Sequence, residues 1–113
     1  MGRKFLNFDE RFLKKLKSGR KTATLRLGRK KYRVGEVVKV MCGKEYLGEA
    51  LITDVRYITL DEVDEATVRE EGYRSKKGLE RDLRQFYGDF GENEIFTLIK
   101  FRLASGRRRR RRK

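Results

Sequence analysis

Apolar side chains near the start of the chain recur at the spacing of a helix. They are Phe8, Phe12, Leu13 and Leu16. Residues spaced in this way lie on one face of an α-helix, so the stretch predicts an amphipathic helix. Asn7 or Asp9 can cap its N-terminus, and Gly19 can end it.

Alternation of apolar and polar residues predicts strands further along the chain. The predicted strands cover residues 22–27, 37–41, 46–55 and 94–103. In the first of them Ala23, Leu25 and Leu27 share one face, and the other face is polar. Gly48 predicts a bend or bulge in the third strand, and residues 56–59 either continue that strand or begin another.

Two more helices are expected between the third strand and the last. Residues 61–71 are helical by composition and end at Gly72, while Ser75 can cap a helix that runs to Tyr87. About five strands and three short helices in this order predict an α+β fold that is mainly β. The predicted architecture is a small barrel or curled mixed sheet with the helices at its rim.

The chain of 113 residues is long enough for one domain, which we place at residues 1–104. Residues 105–113 are of low complexity, and residues 107–113 are consecutive cations. Such a run cannot pack into a core, so we expect an Arg-rich disordered tail that adds affinity for polyanions and contributes nothing to the fold.

The net charge is +14, and residues 1–106 still carry +7 without the run of cations at the end. A positive field attracts polyanions, so nucleic acid is the expected partner. The alternative is a solvated, heat-stable surface, and the scarcity of Asn and Gln fits a thermophilic source. Without an apolar stretch of membrane-spanning length or a secretory signal, we expect a cytoplasmic protein that does not bind membranes, with a monomer favoured.

The sequence contains no histidine, which excludes Ser-His-Asp and Cys-His catalysis. Cys42 is the sole cysteine, so neither an internal disulfide nor a structural zinc site is expected. We predict no metal and no cofactor. A general base must then be Lys, Asp, Glu, Tyr or the terminus.

Lys21 is the candidate base, because two arginines lie close to it in GRKTATLR, residues 19–26. Neighbouring cations and partial burial both lower a lysine pKa. Thr24 is then the candidate nucleophile, and Glu70 or Glu71 the candidate carboxylate. Strict strand alternation places Lys21 out of phase with Thr24, so only an irregular residue before the strand lets them converge.

Aromatic and basic residues are interleaved in several places, a pattern that suits base stacking and phosphate contacts. The alternative is that these tyrosines border the core and the cations are solvated. The candidate ligand-binding residues are Arg20, Lys21, Arg26, Arg29, Lys30, Lys31, Tyr32, Tyr73 and Arg74.

Several of these segments together resemble the ASCH domain. They are residues 19–26, Tyr32 with Gly35-Glu36 before a strand, residues 71–73 before a helix that ends in residues 86–88, and a last strand that begins at Glu94. The resemblance spans nearly all of residues 5–103. It implies a PUA-like fold, a small β-barrel with flanking helices and a cleft, in a superfamily associated with RNA binding.

The resemblance implies more than one activity. The first expectation is an RNA- or nucleotide-binding module with a basic cleft. The alternative is an amidohydrolase that removes the acetyl group of N4-acetylcytidine, since Lys21, Thr24 and Glu71 match the lysine, threonine and glutamate of one ASCH branch. A third is a ribonuclease. Leu27-Gly28 depart from the acidic residues common in the hydrolase branch, and Glu70 competes with Glu71 as the carboxylate.

Overall fold

A computed structural model describes residues 4–104 of the chain. Within these residues the strands are β1 (Phe5–Phe8), β2 (Ala23–Leu27), β3 (Val37–Cys42), β4 (Glu45–Ile58) and β5 (Phe96–Ala104). The α-helices are α1 (Leu13–Lys17), α2 (Glu65–Glu70) and α3 (Lys76–Tyr87). Short 3-10 turns at Glu10–Phe12 and Leu60–Glu62 precede the first two helices. The predicted tail, residues 105–113, lies outside the described residues.

The strands form one mixed sheet in the order β1-β3-β4-β5-β2. β1 pairs parallel with β3, and the other neighbours pair antiparallel. The sheet curls so that its two edge strands, β1 and β2, border the same cavity. The predicted fold, a mainly β, curled sheet with short flanking helices, is therefore confirmed.

Residues 5–8 correct the first predicted helix, because Phe8 belongs to a strand. Leu6 and Phe8 are buried while Phe5 and Asn7 are exposed, an alternation of period two. The helical turn starts only after Asp9, whose side chain accepts a hydrogen bond from the Arg11 N–H. The predicted helix therefore combined Phe8, the last residue of β1, with the residues of the helical turn that follows it.

The predicted irregularity at Gly48 is present. Gly48 has a φ of +110°, and the β3–β4 register shifts between Val40 and Met41, so that Leu47 is the extra residue. A second shift leaves Thr53 unpaired in register, and beyond it β4 continues to Ile58 as one long strand. These bulges increase the local twist, which helps the sheet to curl.

Buried apolar residues form two clusters. The first joins β1, β3, β4 and α1 to one part of β5, and the second joins β2, α2 and α3 to the other part. Tyr73, between α2 and α3, packs against both clusters. The candidate site lies where the two clusters meet.

Candidate functional site

Lys21 lies in the short segment between α1 and β2, and the backbone fixes its position. The N–H groups of Arg20 and Lys21 donate to the carbonyl oxygen of Lys15, at 2.9 and 3.0 Å. Thr22 N–H donates to the Glu70 carbonyl at 2.7 Å. Because Lys21 precedes the first strand residue, Ala23, it does not follow strand alternation, and its side chain can face the same cavity as Thr24.

Glu71 is the carboxylate that contacts Lys21. Lys21 Nζ donates to Glu71 Oε1 at 2.8 Å and to the Glu71 carbonyl oxygen at 2.9 Å. Each residue is only 3% exposed, so the ion pair is almost completely removed from water. Glu71 is the C-cap residue of α2, and Gly72 follows it with a φ of +93°.

Glu70, the competing carboxylate of the sequence analysis, has a different partner. Its Oε1 lies 3.1 Å from Lys100 Nζ on β5. Of the two glutamates, the structure therefore brings only Glu71 to Lys21.

Arg26 holds the hydroxyl of Thr24 and links the two edge strands. Arg26 Nε donates to Thr24 Oγ1 at 3.1 Å, and one of its terminal nitrogens donates to the Asn7 carbonyl at 2.7 Å. Thr24 is 5% exposed. Within residues 4–104, Lys21 and Thr24 line one cavity without a hydrogen bond between them, since Lys21 donates to Glu71.

The cavity has a volume of about 250 Å³. It is lined by Asn7, Phe8, Asp9, Phe12, Lys21, Thr24, Leu25, Arg26, Glu71, Tyr73, Leu79, Leu83, Phe86 and Tyr87. Lys21 Nζ lies 4.7 Å from the centroid of the Phe12 ring, and the Arg26 guanidinium carbon lies 5.0 Å from that of Phe8. The lining therefore combines aromatic and leucine side chains with a similar number of polar groups.

Burial favours the neutral form of both Lys21 and Glu71 and shifts their pKa values accordingly. Desolvation lowers the pKa of Lys21, assisted by the charges of Arg26 and Lys15, while Glu71 acts in the opposite direction. Desolvation also raises the pKa of Glu71, against the effects of Lys21 and Arg26. The lowered Lys21 pKa agrees in direction with the sequence analysis, but its main cause is burial, and Lys15 rather than Arg20 supplies the second neighbouring cation.

One oxygen of Glu71 is left for a further interaction. Oε2 is buried and has no hydrogen-bonding partner of ordinary geometry among the described residues, although the Leu25 backbone N–H approaches the carboxylate. An unpaired buried carboxylate oxygen costs free energy. The carboxylate therefore has remaining capacity to accept a hydrogen bond.

Tyr73 is the other predicted residue at the cavity. Its hydroxyl donates to Asp82 Oδ2 at 2.6 Å, and its ring lies 5.9 Å from Lys21 Nζ. Burial and the Asp82 carboxylate raise the pKa of Tyr73 far above its ordinary value. Tyr73 therefore stays protonated and serves as a fixed aromatic wall.

The remaining candidate ligand-binding residues do not line the cavity. They are Arg20, Arg29, Lys30, Lys31, Tyr32 and Arg74. Tyr32 donates through its hydroxyl to the Phe5 carbonyl at 3.0 Å, and Arg74 borders a separate surface hollow beside α2. The sequence analysis predicts one basic cleft. The structure instead shows a buried polar site, with the other cations outside it.

The sequence analysis missed the aromatic residues around Lys21. Phe8 and Phe12 carry the pattern of core residues, and nothing local distinguishes a core ring from one that faces a buried lysine. Phe86 and Tyr87 lie at the end of α3, whose apolar stripe was predicted without its relation to the cavity. Lys15 carried no signal because its side chain donates to Gly72, which lies 57 residues away in sequence.

Within residues 4–104, no group of His, Cys, Asp and Glu residues is arranged to hold a metal ion. None of the helices in this part of the chain has the length and apolar character needed to cross a bilayer. Cys42 is buried, its thiol donates to the Asp9 carbonyl at 3.2 Å, and burial raises its pKa.

Comparison with known proteins shows similarity in structure. No family model and no curated protein matches the chain. A solved protein from Enterococcus faecalis described by the family model DUF984 is similar with a TM-score of 0.72 and 16% identity, over 99% of this chain and 88% of that one. An ASCH domain from Lactobacillus crispatus has a TM-score of 0.72 and 21% identity, over 90% and 80% of the two chains.

An ASCH protein from Zymomonas mobilis has a TM-score of 0.66 and 16% identity, over 87% of this chain and 65% of that one. Likeness at such low identity defines the fold. The chain therefore has the fold of ASCH domains, and the resemblance found in the sequence is confirmed at that level.

Proposed function

We propose that the cavity binds the base of an N-acylated nucleoside of the N4-acetylcytidine type and that the protein hydrolyses its amide bond. The observation that carries this proposal is the buried Lys21–Glu71 ion pair in the wall of a cavity that Thr24 also lines. Buried ion pairs are costly, and ionisable groups with shifted pKa values in a cleft are typical of active sites.

The size and lining of the cavity favour a single base as its ligand. Pockets for drug-sized ligands begin at about 300 Å³, and this cavity, at about 250 Å³, suits a smaller group. Aromatic side chains such as Phe8, Phe12 and Tyr73 can pack against a planar ring, as in enzymes that act on an extruded base. An oligonucleotide would have to stay outside and insert one base.

In the first half of the proposed reaction, Lys21 acts as the general base. Its neutral amine accepts the hydroxyl proton of Thr24 while Oγ1 attacks the acyl carbonyl carbon. The Arg26 guanidinium, which lies beside Thr24 Oγ1, stabilises the negative charge that develops on the acyl carbonyl oxygen. The carbon–nitrogen bond then breaks, the Lys21 ammonium returns its proton to the departing amine, and the acyl group remains on Thr24 as an ester.

This step requires the Lys21 amine to turn from Glu71 towards Thr24. The flexible lysine side chain permits that movement, and catalytic hydrogen bonds often tighten only when substrate binds. Glu71 stabilises the ammonium that forms on Lys21 and keeps the amine at the cavity wall.

In the second half, water attacks the ester carbonyl. Lys21 accepts a proton from the water and passes it to Thr24 Oγ1 as the ester bond breaks. The products are the free acid and an enzyme with Thr24 and Lys21 restored. The same lysine therefore carries one proton in each half-reaction.

The proposal is tested by incubating the pure protein with N4-acetylcytidine and measuring cytidine and acetate. We expect both products in equal amounts, at a rate that changes little with salt because the substrate has no phosphate. Absence of cytidine after prolonged incubation with folded protein would overturn the proposal.

RNA binding is the second candidate, and the loop between β2 and β3 favours it. Residues 28–35 contain four cations and no acidic residue. The Arg29 guanidinium lies 5.1 Å from the Tyr57 ring centroid, and the Tyr57 hydroxyl donates to the Lys30 carbonyl at 3.1 Å. Tyr57 is exposed. Exposed cations beside an accessible ring suit a single-stranded nucleic acid.

For RNA binding, the test is the salt dependence of retention on single-stranded RNA. Replacing Arg29, Lys30 and Lys31 with Gln removes three charges and should reduce the slope of log affinity against log salt by about 2. The matched control replaces Lys14, Lys17 and Lys44 with Gln, three charges outside this loop. Equal losses in both triple variants would show that the β2–β3 loop is not the binding surface, and the integrity of the recovered RNA tests the ribonuclease alternative.

A further inference from the structure

Lys15, in the middle of α1, contacts both segments that carry the ion pair. Its carbonyl oxygen accepts the N–H groups of Arg20 and Lys21, at 2.9 and 3.0 Å. Its side chain crosses to the other segment, where Nζ donates to the Gly72 carbonyl at 2.7 Å. Lys15 therefore joins the segment before β2, which carries Lys21, to the segment after α2, which carries Glu71.

The packing around Gly72 depends on the lack of a side chain there. A Cβ at this position would lie 3.1 Å from Lys15 Cδ and 3.6 Å from Lys21 Cβ. The Lys15 ammonium also lies 5.1 Å from the Tyr73 ring centroid, a cation–π contact on a wall of the cavity. Because Lys21 Nζ lies 5.9 Å from the centroid of the same ring, these contacts place a second positive charge at the aromatic side chain that Lys21 also contacts.

We propose that Lys15 is a positioning residue for the site. It joins the two segments that carry Lys21 and Glu71, and it places a positive charge near the Lys21 amine. The inference rests on the proposed function for its kinetic consequence only. A cation beside an amine disfavours the protonated form, so Lys15 helps to keep Lys21 available as a base.

The other groups that face Lys21 act in known directions. Glu71 favours the ammonium, Arg26 disfavours it, and Tyr73 presents its ring while its hydroxyl is bonded to Asp82. All of these side chains are still present in a variant that lacks only the charge of Lys15. The pKa of Lys21 should then rise, because one of the two neighbouring cations is lost.

The direct test is an NMR titration of the lysine side chains in the full-length protein and its Lys15→Met variant, with the Lys21 signal assigned by its loss in Lys21→Arg. We expect the Lys21 pKa to rise in Lys15→Met and the acidic limb of the deacylation pH profile to move to higher pH by the same shift. Lys15→Arg keeps the charge and should titrate like the wild type. Lys14→Met is the matched control, since it removes an exposed lysine from the same helix.

An unchanged or lower Lys21 pKa in folded Lys15→Met, relative to Lys14→Met, would overturn the proposal. If Lys15→Met does not fold, Lys15→Gln decides, because a glutamine is neutral but still offers an N–H donor towards Gly72. Absence of deacylation by the wild type would refute the proposed function, while the NMR titration would still decide the role of Lys15.

Discussion

Lys21 and Glu71 are ionisable side chains that lie almost entirely out of water, and this placement opposes folding. The hydrogen bonds from Lys21 to the Glu71 carboxylate and carbonyl offset part of the desolvation cost. The opposite directions of their pKa shifts bring the ionised pair and the neutral pair closer in free energy. A proton can therefore leave Lys21 more easily than it leaves an exposed lysine, as a general base requires.

The desolvation cost of the Lys21–Glu71 ion pair predicts how variants of these two residues differ in stability. Lys21→Met leaves a buried carboxylate without its cation and should lower the free energy of unfolding by about 3–5 kcal/mol. The double variant Lys21→Met/Glu71→Leu removes both charges and should recover most of that loss. Urea unfolding followed by circular dichroism measures both. A double variant as unstable as the single one would show that the pair does not carry this cost.

The pKa shifts also predict how stability depends on pH. The Glu71 pKa is raised above 4.5, so above pH 4.5 the folded state holds a proton that the unfolded state has released, and stability falls as pH rises. The Lys21 pKa is lowered below 10.5, so stability rises as pH approaches 10.5. Relative to Lys21→Met/Glu71→Leu, the wild type should lose stability above pH 4.5 and regain it towards 10.5. A steady gain above pH 4.5 would instead indicate a lowered Glu71 pKa.

Among the elements, the segment that follows α2 controls the site most closely. Gly72 has a φ of +93°, which favours glycine, and its position allows Lys15 and Lys21 to approach. The end of α2 and the segment before β2 are also joined by the hydrogen bond from Thr22 N–H to the Glu70 carbonyl. The geometry of the Lys21–Glu71 pair therefore depends on how these two segments meet.

Gly72→Ala should lower the free energy of unfolding by about 1–2 kcal/mol through backbone strain and should also reduce deacylation, since the new methyl group displaces Lys15. Gly88→Ala is the matched control. Gly88 has a φ of +75° but open space around its Cβ position, so it should lose stability without losing activity. Equal activity in the two folded variants would contradict the account of Gly72.

Local patterns predicted some elements better than others. Ser75 accepts from the Gly78 N–H and α3 ends before Gly88, as the sequence indicated, because caps and stops are local signals. β1 was missed because its four residues run directly into a helical turn and share Phe8 with the helical pattern. Its parallel pairing with β3 is a tertiary contact, which no local pattern contains.

Local patterns also indicated some of the residues that line the cavity. The short motif at residues 19–26 and the helix end at Glu71 indicated three candidate residues, and the structure brings Lys21, Thr24 and Glu71 to one cavity. The surrounding cations looked equivalent in sequence, but Arg29, Lys30 and Lys31 lie outside the cavity because the chain turns away after β2. The contacts of Lys15 with Gly72 depend on segments distant in sequence.

At the scale of the whole molecule, the cavity lies in the gap between the two edge strands of a curled sheet. β1 and β2 are at opposite ends of the strand order, and the Arg26 side chain joins them by donating to the Asn7 carbonyl. The two apolar clusters form the sides of this gap, and α3 contributes Leu79, Leu83 and Phe86 to its lining. The fold thus supplies a partly enclosed, aromatic site on an otherwise strongly basic domain.

Thr24 is the proposed nucleophile of this site, and the rate at which Thr24→Ala forms cytidine from N4-acetylcytidine tests this role directly. Thr22→Ala is the matched control, since it removes a threonine hydroxyl two residues before Thr24. We predict that Thr24→Ala loses at least about a thousandfold in rate with unchanged unfolding, while Thr22→Ala remains close to the wild type. Equal rates for Thr24→Ala and the wild type would show that Thr24 is not the nucleophile.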